Sequence, residues 1–367
     1  MSALRIASAV LSLASACFAA DWTLGPFTRP RGANPVISPR PASVFECPIR
    51  RAPVHWEALH TFNPAAIVRN GRIYVLYRAE DSSGAMSIGG HTSRLGLASS
   101  ADGIHFDREP APVFYPAPDS QRDREWPGGC EDPRIVEAGD GTYYLTYTQW
   151  NGKIWRAAVA SSKDLHTWTK YGPLFASAGS KYADFKYKSA GIVCRPEHGR
   201  LIAARIRGVY WMYWGEGTIR LATSKDLIHW TPLEDHSGNP IAVLKPRPSR
   251  FDSDFPETGP PPVITSAGIV VLYNGKNAAH AGDPSLEPAA YSSGEALFSA
   301  ADPSHLLARL DHPVLQPTEP FEKSGQYAAG TTFAEGLVWF RNRWFLYYGC
   351  ADSLVGVVSS APTAGTR

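Results

Sequence analysis

The 367-residue chain has no run of lysine or arginine: 36 basic residues face 34 acidic ones, and the formal net charge is +2. Without a basic stripe there is nothing to neutralise a row of phosphates or to sit on an anionic bilayer, which argues against nucleic acid and membrane-surface partners. Charged residues make up only 19% of the chain, too few for a solvated, disordered polymer, and the 44% hydrophobic content suffices for a large core. There are five cysteines and no CxxC pair, so a cysteine-rich zinc site is excluded, and no cofactor motif stands out. Beyond the first twenty residues, no apolar stretch is long enough to span a bilayer.

Those first twenty residues, MSALRIASAVLSLASACFAA, carry Arg5, an apolar run from Ile6 to Leu13 and small residues near the end. This is the pattern of a secretory signal peptide over 1–20, leaving residues 21–367 as one domain in the periplasm or outside the cell. Lipid anchoring at Cys17 is the weaker alternative, because Ala14 stands where a lipobox carries Leu. Cleavage leaves Cys47, Cys130, Cys194 and Cys350, which in an oxidising compartment give up to two disulfides or buried thiols.

What is abundant is Gly (32), Pro (31), Tyr (16) and Trp (11), a composition for many short strands joined by tight turns. The segments ASSADGIHF (98–106), ASSKDLHTW (160–168) and ATSKDLIHW (222–230) repeat at a fixed spacing of 62 residues. Each ends an alternating strand, and each follows an aromatic strand that turns polar: RIYVLYRAED, TYYLTYTQW and VYWMYWGE. GIVVLYNGK and RWFLYYGCADS begin two further copies. Five such units predict an all-β fold, a five-bladed β-propeller, in which polar strand ends converge near the axis.

GGCEDPRIV (128–136) places Glu131 and Asp132 in such a position. Taken alone, Asp132 could cap a turn at Pro133 while Arg134 neutralises Glu131. Convergence with Arg78, Glu80 and Asp81, with Lys188, with Glu257 and Asn274, and with Glu335 and Asp352 favours chemistry instead. Paired carboxylates beside aromatic rings are what cleavage of a glycosidic bond requires, one as acid and one as base or nucleophile. HWEALH (55–60) lacks the HExxH spacing, so no metal site is expected; it reads as a cap over the funnel. His91, His229, His280 and His305 read as turn or surface residues, and NAAHAGDPSLEPAA (277–290) as a rim loop.

NPAAIV with YRAED, SRLGLASSADGIHF, GGCEDPRI, KSAGIV, ETGPPPV with YNGK, and EGLVWF with YYGCADS occur in this order over roughly residues 60 to 360. In that order they resemble glycoside hydrolase family 130, the β-mannoside phosphorylases and β-1,2-mannosidases on a five-bladed propeller. The resemblance implies that Asp132 is the proton donor, relaying its proton through a mannose hydroxyl. It implies that Asn63, Arg78, Asp81, Arg94 and Asp352 hold the nonreducing-end mannose, with Glu131 and Arg134 tuning the acid.

The family divides by nucleophile. Phosphorylases hold a dianion with a cationic cluster. Where many of them read YHG this chain reads YNG, so Asn274 replaces an imidazole; Lys188 fits a phosphate site or a carboxylate pair equally well. Glu257 and Glu295 resemble acidic positions of the mannosidase branch, and Glu335 is a third candidate base. The expected activity is therefore inverting hydrolysis of β-mannosides, β-1,2-linked in the first instance, in an oligosaccharide substrate. The alternatives are a phosphorylase releasing mannose 1-phosphate, an α-arabinofuranosidase or β-xylosidase on a similar propeller, and a non-catalytic carbohydrate-binding propeller.

Overall fold

The structure, a computed structural model, describes residues 21–182 and 185–363. The expected signal peptide over 1–20, with Cys17, lies outside the described residues. The described chain is all-β, with one short helix, Arg122–Glu125, and two short 3-10 turns.

Five antiparallel units follow one another. The first is built on His60–Arg69, Arg72–Asp81 and Thr92–Ser100, and the second on Gly129–Glu137, Tyr143–Trp150 and Trp155–Ser162. The third uses Ala190–Ile192, Val209–Trp214 and Ile219–Ser224; the fourth Phe255–Thr258, Gly268–Lys276 and Tyr291–Phe298. Thr332–Phe340, Arg343–Cys350 and Leu354–Ser360 form the fifth. Its outer strand comes from the other end of the chain: Phe27–Thr28 pairs with Ser360 and Ser359.

The aromatic middle strands are buried on both faces, and period-two alternation divides their side chains between two cores. Ile73, Val75, Tyr77 and Ala79 enter one cluster and Leu76 another; Ile269, Val271 and Tyr273 part in the same way from Val270 and Leu272. Each unit is thus sandwiched, and each such side chain contributes about 1.5–3 kcal/mol by leaving water.

The 62-residue repeat is a turn device. Asp102 Oδ1 accepts the backbone N–H groups of Ile104 and His105, and Asp226 repeats this with Ile228 and His229. Asp164 does the same for His166 and Thr167. Three first strands break register, at Phe62/Pro64, Glu131/Arg134 and Ala334/Gly336. In the first two the break falls just before or at an X-Pro step. The bulged residues, Asn63 (φ 45°) and Asp132 (φ 48°), adopt left-handed backbone, and the proline after each can sit in a strand because the ladder is already interrupted.

Of the two cysteine readings, the structure shows the second: Cys47, Cys130, Cys194 and Cys350 are all buried free thiols. Another expectation needs correction. HWEALH caps no funnel: Trp56 and Glu57 have no exposed surface, and Glu57 accepts Tyr77 Oη at 2.8 Å together with Arg40 and Arg108. Alternation carries Tyr77 away from the polar strand end, so its carboxylate partner belongs to the packing between units.

Candidate active site

Polar ends of several units meet in one cavity lined by Glu80, Glu131, Asp132, Lys188, Glu257 and Asp352, with Arg78, Asn63 and the rings of Phe62, Tyr291, Tyr327 and Phe333. The bulges put the first two units' residues there. A bulge turns one side chain out of the alternation, so Asn63 and Asp132 face each other where regular strands would have sent them to the cores. Gly129 makes the approach of the second unit feasible: at φ 117° its Cα passes the backbone of Ser93 so closely that a Cβ would lie 2.2 Å from the carbonyl oxygen.

Arg78 is the hub. Its Nη1 donates to Asp132 Oδ1 at 3.0 Å, its Nη2 to Glu80 Oε1 at 2.6 Å and to Glu131 Oε1 at 2.9 Å, and its Nε to Ser93 Oγ at 3.0 Å. The guanidinium also lies over the Phe62 ring, 4.6 Å from its centroid. Asn63 Nδ2 supplies the second donor to Asp132 Oδ1 at 2.8 Å, while Oδ2 takes no hydrogen bond from the described residues. Arg134 braces the bulge from behind, donating to the Asp132 carbonyl and to the carbonyls of Thr258 and Gly259.

Burial pushes Glu131 up to about 7 despite the pull of Arg78. Burial acts on Asp132 too, but there Arg78, Lys188, Arg134 and Asn63 prevail and hold it below the ordinary carboxylate range. When the adjacent pair takes up a proton, it therefore resides on Glu131 in preference to Asp132. Asp352 is raised to about 6 by burial, against Arg78.

Across the cavity, Lys188 lies 3.1 Å from Glu216 and 3.3 Å from Glu257. Ser189 Oγ donates to Glu257 Oε1, and the other oxygen has no hydrogen bond among the described residues. Burial raises Glu257 to about 7, with Lys188 opposing and Glu216 reinforcing the rise. A carboxyl poised there is matched to accepting a proton from water at neutral pH.

The remaining candidates are placed elsewhere. Glu295 has no exposed surface and does not line the cavity; its Oε2 accepts the Leu24 N–H at 3.1 Å, because strand alternation turns it toward the N-terminal segment. Glu335 is equally buried, 2.9 Å from Arg134, but that guanidinium aims its N–H at Thr258 and leaves both Glu335 oxygens without a hydrogen bond among the described residues. Asn274 is no lining residue: it clasps the backbone of Ala334, accepting its N–H at 2.8 Å and donating to its carbonyl at 3.0 Å. Asp81 and Arg94 form a buried ion pair with each other, away from the lining.

Sequence reasoning missed Glu216, Ser189, Tyr291 and Tyr327. Glu216 ends the aromatic run VYWMYWGE, and that polar ending was its signal. Ser189 follows Lys188 at φ 55°, a third left-handed residue at a strand start. His91 is buried, not a surface residue, and packs against His60 with ring centroids 5.6 Å apart. Nothing in the sequence linked Tyr291 to Tyr327, whose rings meet edge to face at 5.4 Å. The rim loop is pinned by Asn277, whose Nδ2 donates to the carbonyls of Asp283, Leu286 and Glu287; its last residues present the Ala289 carbonyl to Tyr327 Oη.

The sequence is similar to known proteins along most of its length. The family model for glycoside hydrolase family 130, described as β-1,4-mannooligosaccharide phosphorylase, matches residues 27–362. A 1,2-β-oligomannan phosphorylase of Thermoanaerobacter sp. (strain X514) is 33% identical over 310 residues, 84% of this chain and 92% of that protein. A glycosyl hydrolase from Bacteroides ovatus superposes with a TM-score of 0.92 at 50% identity, covering 95% of this chain and 97% of its own. A further solved structure, again 50% identical with TM-score 0.92 and covering 95% of this chain and 98% of its own, was reported with the finding that the family of mannoside phosphorylases contains glycoside hydrolases that target β-1,2 mannosidic linkages in Candida mannan. Matched from its first described outer strand to its last, the chain belongs to glycoside hydrolase family 130.

Proposed function

We infer that the protein is a hydrolase that removes mannose from the nonreducing end of β-mannosides, β-1,2-linked ones first among them, with inversion. One observation carries the choice of water over phosphate. The cavity is lined by five carboxylates, Glu80, Glu131, Asp132, Glu257 and Asp352, against two cations, Arg78 and Lys188. Both cations are already engaged, Arg78 by three carboxylates and Lys188 by two. A phosphate dianion would enter a field of its own sign with no free donor cluster to meet it.

In this reading a mannose seated over Asp132 replaces water, and the proton shared with Glu131 becomes available to the Asp132 oxygen. Asp132 passes it through a sugar hydroxyl to the glycosidic oxygen as the bond to the leaving sugar breaks. Glu257 takes a proton from the water that attacks the anomeric carbon from the opposite side. Phe62, Tyr291 and Phe333 offer apolar faces to the sugar, and Asn63, Arg78 and Asp352 its polar anchors. We place the five units as the blades of a propeller with this cavity at the axis, and the protein outside the cytoplasm after loss of residues 1–20. The 50%-identical relative, reported with the finding that the family contains hydrolases of β-1,2 mannosidic linkages, supports the reading.

Phosphorolysis is the second reading, favoured by the name of the 33%-identical Thermoanaerobacter relative. Incubating the purified protein with β-1,2-mannobiose, with and without inorganic phosphate, and following products by NMR decides between them. Free α-mannose at equal rates in both buffers is expected. Mannose 1-phosphate formed only with phosphate would establish the phosphorylase instead.

A further inference from the structure

Around Glu80, a lining residue of the cavity, His60, Glu80 and His91 bring two imidazoles and a carboxylate together, with one ligating atom from each lying within 4.8 Å of the others. The fold builds this cluster: His60 is the cross-strand partner of Glu80, and His91 stands one residue before the strand whose Ser93 pairs Glu80 from the other side. We propose that His60, Glu80 and His91 form a binding site for one divalent transition-metal ion of the zinc type.

Three observations support this site. His91 is 5% exposed, and its Nδ1 has no hydrogen-bond partner among the described residues. An orphaned buried nitrogen is destabilising unless something satisfies it, and a metal ion accepts just such a lone pair. His60 is already oriented: Ser353 Oγ lies 2.9 Å from its Nδ1 and itself accepts the Gln326 N–H. With Nδ1–H donating to that oxygen, Nε2 presents its lone pair, the arrangement in which an outer oxygen fixes the tautomer of a metal-bound imidazole.

The surrounding charge also favours a cation. Glu80, Glu131, Asp132 and Asp352 lie around the single guanidinium of Arg78 on this side of the cavity. Two imidazole nitrogens and one carboxylate oxygen suit zinc, cobalt or nickel and not magnesium or calcium, which take oxygen ligands. Three protein ligands leave a coordination position for water. Glu80 Oε1 is held by Arg78 and Oε2 by Gln326 Nε2 at 2.9 Å, so the ion would share or displace the Gln326 contact.

The test is metal binding itself, independent of any activity. Full-length mature protein is stripped with chelator, dialysed and titrated with zinc chloride by calorimetry, and separately with cobalt chloride while the visible absorption is followed. One zinc per chain, a cobalt ligand-field band that zinc bleaches, and a melting temperature raised by zinc and restored by chelator are expected. His60→Ala and His91→Ala should each lose the one-equivalent binding and the cobalt band, with His60→Gln as a second variant should Ala disturb folding. Absence of zinc binding to the wild-type protein at millimolar metal would overturn the proposal. So would binding that survives in correctly folded variants, which would put the ion at another histidine.

Discussion

Asn63 and Asp132, 69 residues apart, meet through a 2.8 Å hydrogen bond from Nδ2 to Oδ1, and each sits on a bulge with left-handed backbone. Asn63 and Arg78 saturate one oxygen of Asp132, and the other takes no hydrogen bond from the described residues. Asp132→Asn keeps an oxygen for both donors and so should keep the fold and the affinity for sugar. Turnover of β-1,2-mannobiose should fall by about 10²–10⁴, the usual contribution of a positioned general acid. Calorimetry and a rate assay on the same preparation check this, and turnover within tenfold of wild type would remove Asp132 from the chemistry.

Glu257, raised to about 7, sets the expected acid limb of the rate profile, since a base works only when ionised. Activity should decline as pH falls through about 7. Lys188→Met removes the charge that holds Glu257 down, so the limb should move to higher pH. Glu216→Gln removes the like charge that raises Glu257, so it should move the limb to lower pH; the main influences on Glu131 are burial, Arg78, Asp132, Glu80 and Lys188, which makes this variant the more diagnostic of the two. A limb indifferent to both substitutions would assign it to another group.

Glu295 is raised by burial to about 8 from an ordinary 4.5. The folded state thus holds this proton more tightly than the unfolded one, and the sign follows: stability is full below pH 4.5 and declines as pH rises through 8. Glu295→Gln should therefore be stabilising at pH 9, on the order of a few kcal/mol, and near neutral at pH 4. Because Glu295 lies off the cavity, kcat should not change. Denaturant melts at the two pH values and one activity assay measure both effects.

Arg78 neutralises three buried carboxylates at once. Arg78→Met should cost about 3–5 kcal/mol at neutral pH, as breaking a buried ion pair from one side does. The abandoned carboxylates then titrate higher, so part of the loss should be regained near pH 5. Thermal melts across pH 5–8 would show the variant's deficit widening with pH; a constant deficit would point to lost packing against Phe62 instead.

The five units were readable because their strands are long, aromatic and strictly alternating, and because Asp102, Asp164 and Asp226 mark the same turn each time. The acid and its neighbours were readable from GGCEDPRI and its companions. What alternation could not tell was which residues a bulge would redirect. Asn-Pro at 63–64 and Asp-Pro at 132–133 were the local signs, since proline inside a strand asks for an interruption. Glu295 and Asn274 misled for the converse reason: they lie in regular strand, where side-chain direction follows parity, and parity sends one to the N-terminal segment and the other to the next unit's backbone. Tyr327, Gln326 and Asp352 approach from turns whose path depends on the finished packing.

Phe27–Thr28 completes the sheet of Leu354–Ser360, over 330 residues later in the chain. During synthesis this seam therefore stays open long after its first strand has been made, because the partner strand follows over 330 residues later. The earlier units must wait in a partly open form, exposing the flank that the fifth will cover. During that interval the chain depends on whatever shields it, and an insertion that delays the later strand would lengthen the wait without touching a single residue of the cavity.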